Sequence, residues 1–374
     1  MAVAQSYDFQ QQVRDMQANV DLILTKAPVL FGLIGTGDAL TQTKFEWQND
    51  YLNSDTAVVK TAAAADATEI ELGEGEARKF TENALVQNGL EVIRVTKVDE
   101  SAEKITVQRG YDATTPEAIE AGADLKVISR PRPEGESVLR KNEINDRIVS
   151  FNYSQIFTRY ASVSRTQQRV NTYGVSDELD YQVNLRLQEM VREINNALIY
   201  GRKYQGSDQQ PRTSGGLFAF AQEQGSASTD FGGKEITAKG LNDAIEETFK
   251  RGGRVNTILC APNVSRQITK LAGDTIRTTR GEGQVGYQIM SFMSDLPGGA
   301  VSQVVVDQNM PKDRAVLLNL DNIKARYIDT IYDQDATEPG ADYFARVIRG
   351  ELGFEIKNAK ESVAILSGIS KTVS

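Results

Sequence analysis

The chain has 374 residues, with 42 basic against 51 acidic side chains (net charge −9 at pH 7), one cysteine and no histidine. Histidine-dependent acid–base, triad and metal-ligand chemistry is thereby excluded, as is a disulfide within the chain. The negative charge leaves no general counterion-releasing surface, so sequence-specific DNA binding is not expected.

Residues 1 to 50 read as an arm, with a polar start, a short amphipathic piece from Phe9 to Thr25, and then Pro28, Gly32, Gly35 and Gly37. Val29, Leu30, Phe31, Leu33, Ile34, Phe45 and Trp47 lie among these breakers. Apolar residues so placed are expected to be covered by another domain or a neighbouring subunit. From Thr56 to Arg130 the apolar period becomes two, as in Glu91-Val92-Ile93-Arg94-Val95, with glycines between short strands. This predicts a small β module inserted into a loop of the host fold, its ends close together. Pro131, Pro133 and Gly135 mark its exit, and Glu136 to Arg147 reads as a charged helix.

A polar-aromatic strand beginning at Asn152 then runs toward a long amphipathic helix. Leu179, Val183, Leu187, Met190, Ile194 and Leu198 recur every three or four residues and make one buried stripe. Ser176 is the expected N-cap, Asp177 and Glu178 suit the positive end of the helix dipole, and Gly201 is the expected left-handed stop. Beyond the polar loop Arg202 to Gly216, helices are predicted at Ala238–Lys250 and at Asn263–Leu271, the latter capped by Asn263. Strands are predicted at Val255–Cys260, Val301–Val306, Ala315–Leu320 and Ile323–Ile328, which together make an α/β domain. The tail, Tyr343 to Ile369, alternates again and is expected to return to earlier strands. Cys260, in an apolar run, reads as a buried inert thiol.

Two motif matches lack their context. Gly281-Glu282-Gly283-Gln284-Val285-Gly286 has the G-x-G-x-x-G spacing but follows the charged run Arg277-Thr278-Thr279-Arg280 rather than an apolar strand, so it reads as a loop. Asp333-Gln334-Asp335 begins like a calcium loop but lacks the glycine and glutamate that complete one. No catalytic, cofactor-binding or metal residue is assigned, no cofactor is expected, and the chain reads as a non-enzyme. With no run of about 18 apolar residues, no signal-peptide pattern and no cysteine pair, an intracellular, soluble protein of two or three domains is expected, with no membrane partner.

The run Asn152-Tyr153-Ser154-Gln155-Ile156-Phe157, then Val163-Ser164-Arg165-Thr166, then Tyr173 to Gln182 resembles a group of tailed-phage major capsid proteins. Flanking pieces agree in order: Phe45-Glu46-Trp47-Gln48-Asn49-Asp50, Arg212-Thr213-Ser214-Gly215-Gly216-Leu217 and Gly350-Glu351-Leu352-Gly353-Phe354-Glu355. The inserted module, with Arg109-Gly110-Tyr111-Asp112-Ala113-Thr114-Thr115, is similar to a β insertion that some of these proteins carry in their extended loop.

The resemblance implies an α+β, Hong Kong 97-type (HK97-like) fold. An N-terminal arm would occupy residues 1–45, and an extended loop 46–150 with the β insertion at about 56–130. A peripheral domain would occupy 151–235 with a spine helix at 176–200, and an axial α/β domain 236–342. Strands in 343–374 would return mainly to the peripheral domain. The implied protein self-assembles as pentamers and hexamers into an icosahedral head shell around double-stranded DNA. Implied partners are copies of itself, a portal protein, a scaffold or decoration protein, and packaged DNA bound without sequence specificity. The implied location is the virion head, assembled in the bacterial host cytoplasm. Phe31, Phe45 and Trp47 in the arm are candidates for inter-subunit contact because aromatics dominate interface energetics, and Arg277 and Arg280 are candidates around a symmetry axis. The alternatives are an encapsulin-like nanocompartment shell and, from a different class, a tail-machine or ligand-binding protein.

Overall fold

The computed structural model describes residues 28–49, 54–132, 134–135, 147–170, 177–271, 276–278, 290–294 and 301–372. The chain forms two compact units, one from residues up to Asn49 and from Val149 onward, the other Asp50–Ile148. The expected Phe9–Thr25 piece, all of the Glu136–Arg147 piece except Arg147, and the loop Gly281–Gly286 lie outside the described residues.

The first unit is built on the long helix Glu178–Tyr200, 23 residues or about 35 Å. The expected stripe is buried from Val183 on: Met190, Ile194 and Leu198 are fully buried, Val183 is 9% exposed and Leu187 packs against them, whereas Leu179, in the first turn, is only half-buried. Both ends differ from expectation. The cap is Asp177, whose carboxylate accepts the Asp180 N–H at 3.0 Å; Ser176 lies outside the described residues. The backbone hydrogen bonds of Asp180 and Leu179 and the Gln168 side chain hold the Asp177 carboxyl below its ordinary range. Gly201 is not left-handed but extended, with φ −50° and ψ 147°.

Glycine is needed there for space, since a Cβ would stand 2.4 Å from both the Ala197 and Ser214 carbonyl oxygens. Gly216, whose N–H donates to the Gly201 carbonyl at 3.0 Å, completes the close approach. Gly201→Ala is therefore expected to cost about 3 kcal/mol, the upper end for forced overpacking, read as a lower urea midpoint with unchanged slope.

The helix lies on a four-stranded sheet in the order Gly35–Thr36, Ile323–Asp335, Tyr343–Ile356, Gln155–Ser164. Phe157, Ala161, Ile348 and Leu352 join its stripe in one core, and Arg159 donates to Glu193 and Arg346 to Asp180 at 2.6 and 2.8 Å. Ile323–Ile328, expected in the α/β domain, belongs to this sheet instead, with Ile323 opposite Ile356 and Ala325 opposite Phe354. Its half-buried alternation suits a sheet covered on one face.

The α/β domain holds a seven-stranded sheet in the order Ala227–Asp230, Val363–Ser367, Ala315–Leu318, Thr257–Cys260, Val301–Val306, Met290–Met293, Ile276–Thr278. Its central strands are buried at every position because both faces are covered. Leu259, Val316 and Leu318 face the core of the long helix. Ile258, Cys260 and Leu317 face the helices Ala238–Lys250 and Pro262–Lys270. The second of these starts at Pro262 after Ala261, so Asn263 is not its cap; the Asn263 amide donates to the Lys312 carbonyl at 2.7 Å. The tail is shared, Tyr343–Ile356 going to the first sheet and Val363–Ser367 to the second. Burial pushes the Cys260 thiol up to about 12, the inert group expected.

The second unit is a six-stranded sheet of strands between Thr56 and Ser129. Its two edge strands meet at an antiparallel bridge, Val59 opposite Leu72, where Lys60 N–H donates to the Glu71 carbonyl and Gly73 N–H to the Val58 carbonyl, each at 2.9 Å. The sheet thus closes into a small barrel filled by Phe80, Ile93, Ile105, Ile119 and Leu125, and closure removes its unpaired edges.

Candidate assembly elements

Three of the sequence segments that carried the resemblance converge on one corner of the first unit. The strand Ile148–Tyr153 pairs with Lys44–Asn49 in a two-stranded ribbon; one residue later, Gln155–Ser164 pairs with Tyr343–Ile356. Ser154 is the bend between the two sheets, and all its polar groups are engaged. Its N–H donates to the Thr43 carbonyl at 2.9 Å, its hydroxyl to Glu351 at 2.6 Å, and its carbonyl accepts the Arg212 Nε–H at 2.6 Å. Arg212 Nη2 also donates to the same Glu351 oxygen at 2.5 Å.

Beside it, buried Asn152 accepts from Gly215 N–H at 2.8 Å and donates to the Gly215 and Phe354 carbonyls at 3.0 and 2.7 Å. Gly353 lets the ribbon lie this close, because a Cβ would stand 2.6 Å from the Phe45 ring and 2.9 Å from the Tyr153 carbonyl.

A second buried polar group ties the long helix to the α/β domain and to the short helix Val29–Leu33. Asn195 accepts the Phe31 N–H at 2.9 Å and donates to buried Asp307 at 2.8 Å. Asp307 in turn accepts the Asn309 N–H at 2.8 Å, and the Tyr200 hydroxyl donates to the Asn309 carbonyl at 2.6 Å. Burial, followed by the nearby Asp307 charge, pushes the Tyr200 phenol up.

In the barrel, fully buried Glu91 receives Arg109 through Nε at 2.8 Å and Nη2 at 2.6 Å, and the Gly110 and Glu117 N–H groups at 3.0 and 3.1 Å. The stretch from Arg109 to Glu117, which includes Asp112 and Ala113, both at positive φ, is thus pinned from inside. Burial raises the Glu91 carboxyl, but Arg109 and the two amides outweigh it and hold the carboxyl below its ordinary value.

The outer face of the four-stranded sheet, away from the long helix, carries large exposed side chains. Register sets Thr158, Arg349 and Tyr332 in one row across three strands, with Ile156 and Tyr160 on either side. Tyr160 is 52% exposed, Ile156 48% and Tyr332 38%, and Arg349 is exposed. Aromatic residues with arginine on a rigid face are the composition of an interface centre. Gln155–Ser164 is an edge of this sheet.

The expected contact residues are distributed differently from the sequence reading. Phe45 and Trp47 are each 6% exposed, packed on each other and on Phe220 in the subunit's own core, so their rings are not free to clamp a neighbour. The described part of the arm packs on the core of the long helix, one of the two coverings expected: Leu30 is fully buried, and Phe31 packs half-buried on the same core. Arg277 lies in the short strand Ile276–Thr278, and Arg280 lies outside the described residues. The exposed row that includes Ile156, Tyr160, Tyr332 and Arg349 was not legible in the sequence, because alternation says only that one strand face is outward, while pairing register makes the row. Asp333 pairs with Arg346, and among the described residues no group of three acidic or cysteine side chains could hold a metal. None of the described helices is long and apolar enough to cross a membrane.

A family model described as SU10 major capsid protein matches residues 3–370. Among solved structures, a chain from Microbacterium phage Oxtober96 is similar with TM-score 0.50 at 10% identity, covering 98% of this chain and 99% of that one. The cyanophage A-1(L) capsid asymmetric unit gives 0.50 at 13% identity, and a chain from Mycobacterium phage Bobi 0.50 at 9%, each with the same coverage. No protein in the curated comparison matches the chain.

Proposed function

The chain belongs to the SU10 major capsid protein family and is a structural protein of a phage head shell with the HK97-like fold, and from this premise we propose how it builds that shell. It assembles with copies of itself into capsomers. In our reading these are pentamers and hexamers that close around double-stranded DNA. A portal protein occupies one vertex, a scaffold or decoration protein is an additional partner, and assembly takes place in the bacterial host cytoplasm. The net charge of −9 supports a shell that encloses DNA without adhering to it.

The observation that supports the reading is the outer sheet face, where Ile156, Tyr160, Tyr332 and Arg349 form an exposed patch fixed by strand register; in our reading a neighbouring copy covers it. Rotations that close into rings multiply such modest contacts over many subunits. Residues up to about 45 act as the arm and 46–150 as the extended loop. The long-helix region acts as the peripheral domain and the seven-stranded sheet as the axial domain, where Arg277 and Arg280 are proposed contacts around the capsomer axis.

Electron microscopy of the protein expressed alone and with its natural assembly helper tests this. Closed shells, tubes or capsomers are expected, and a protein that stays monomeric at high concentration overturns it. Arg349→Glu is expected to raise the concentration needed for assembly more than about tenfold, the effect of a hot spot worth about 2 kcal/mol, while the subunit's thermal midpoint moves little. Unchanged assembly in light scattering would remove this face from the contact.

A further inference from the structure

The corner at Ser154 has a property that stability alone does not explain. A strand can turn from one sheet to another on an apolar bend, yet here the bend residue's amide, hydroxyl and carbonyl each go to a different segment, and two of the three end on one half-buried ion pair. Replacing a buried ion pair by apolar groups of similar volume is often neutral for stability, whereas a charge-assisted fork fixes direction in a way that apolar packing does not. Arg212 reaches two acceptors at once, the carbonyl of the bend residue Ser154, where the chain passes from the ribbon to the four-stranded sheet, and Glu351 in the strand Tyr343–Ile356 of that sheet.

Building on the assembly reading above, we propose that Arg212, Glu351 and Ser154 are positioning residues that set the direction in which the ribbon Lys44–Asn49/Ile148–Tyr153 leaves the body of the subunit, and through it the curvature of the shell. The ribbon is the tether of the barrel, since the barrel's chain enters after Asn49 and returns at Ile148. Six residues of strand make a lever of about 20 Å, so a swing of about 10° at the corner moves its far end about 3 Å. That distance is close to the whole reach of a side-chain contact, so a loose corner redistributes contacts among neighbours rather than weakening one of them.

The test uses the full-length protein with Arg212→Met and Glu351→Leu together, so that neither charge is left unpaired, and Arg212→Lys as a separate variant. Lysine keeps the charge and the pairing with Glu351 but lacks the fork that also holds the Ser154 carbonyl. Thermal unfolding and particle diameter by electron microscopy are measured for both. The double variant leaves the buried Ser154 hydroxyl and carbonyl without these partners, so it is expected to fold with a lowered melting midpoint while its particles spread to at least twice the natural width of the diameter distribution, or fail to close. Arg212→Lys is expected to show the same spread. A folded variant that builds shells of uniform natural diameter overturns the proposal, as does full rescue by lysine if the double variant does not fold. A natural protein that forms no particles in the same experiment would instead count against the assembly reading itself.

Discussion

Trp47→Ala is expected to lower the stability of the subunit by about 3–5 kcal/mol, the cost of emptying a large aromatic site in a packed core. The indole is 6% exposed, with ring centroids 5.8 Å from Phe45 and 5.6 Å from Phe220. A loss of this size is a large part of the total stability of a domain, so failure to assemble would follow from unfolding and not from a missing clamp. Trp47→Phe separates the two. The indole N–H is buried without a hydrogen-bond partner among the described residues, so phenylalanine removes an unsatisfied donor while keeping most of the volume, and a loss under about 1.5 kcal/mol is expected. Urea midpoints by circular dichroism check both variants, and the natural protein can also be followed by emission, because Trp47 is its single tryptophan. An alanine variant that keeps the natural midpoint but fails to assemble would restore the clamp.

Glu91→Gln and Arg109→Met, made singly, are each expected to destabilise the barrel by about 3–5 kcal/mol, because each leaves a buried group without its charged partner. Together, Glu91→Leu and Arg109→Met are expected to cost less than the sum, which a double-mutant cycle on the barrel's melting reads directly. Acid acts on the same pair. The folded Glu91 carboxyl lies below its ordinary value of 4.5, so it contributes stability fully present above that value and lost as pH falls through the depressed folded value. The melting midpoint should therefore fall on acidification below about pH 4.5, and Glu91→Gln should flatten that part of the profile. An unchanged acid limb in Glu91→Gln would show that the stability lost in acid comes from other carboxylates.

The two variants probe different parts of the assembly problem. Trp47 lies within the ribbon strand Lys44–Asn49, packed on Phe220, so its loss acts on the ribbon. Glu91 and Arg109 lie within the inserted barrel and act on what the tether carries. The barrel closes on its own edges and fills its own core, so its damage is expected as a separate, earlier transition in calorimetry.

The amino-acid order by itself determined the local elements. The 3.6-residue stripe from Val183 to Leu198, the two-residue alternation of Glu91 to Val95, and the apolar run around Cys260 each specify an element through nearest-neighbour geometry, and the structure has them where expected. The dense matches at Asn152–Phe157, Arg212–Leu217 and Gly350–Glu355 also identified the family, which the model over residues 3–370 matches.

What only the tertiary structure decided is partnership. Burial of Phe45 and Trp47 depends on Gly353 and Phe220, distant in the chain, so a segment full of breakers looked orphaned in the sequence although it packs on the core of its own unit. Gly201 is a matter of space beside Ser214, which no turn preference encodes. Ile323–Asp335 changed sheets because pairing register, and not alternation, chooses a strand's neighbour. Periodicity is a property of one segment, whereas burial, register and the corner at Ser154 belong to several segments at once and exist only after the chain has folded.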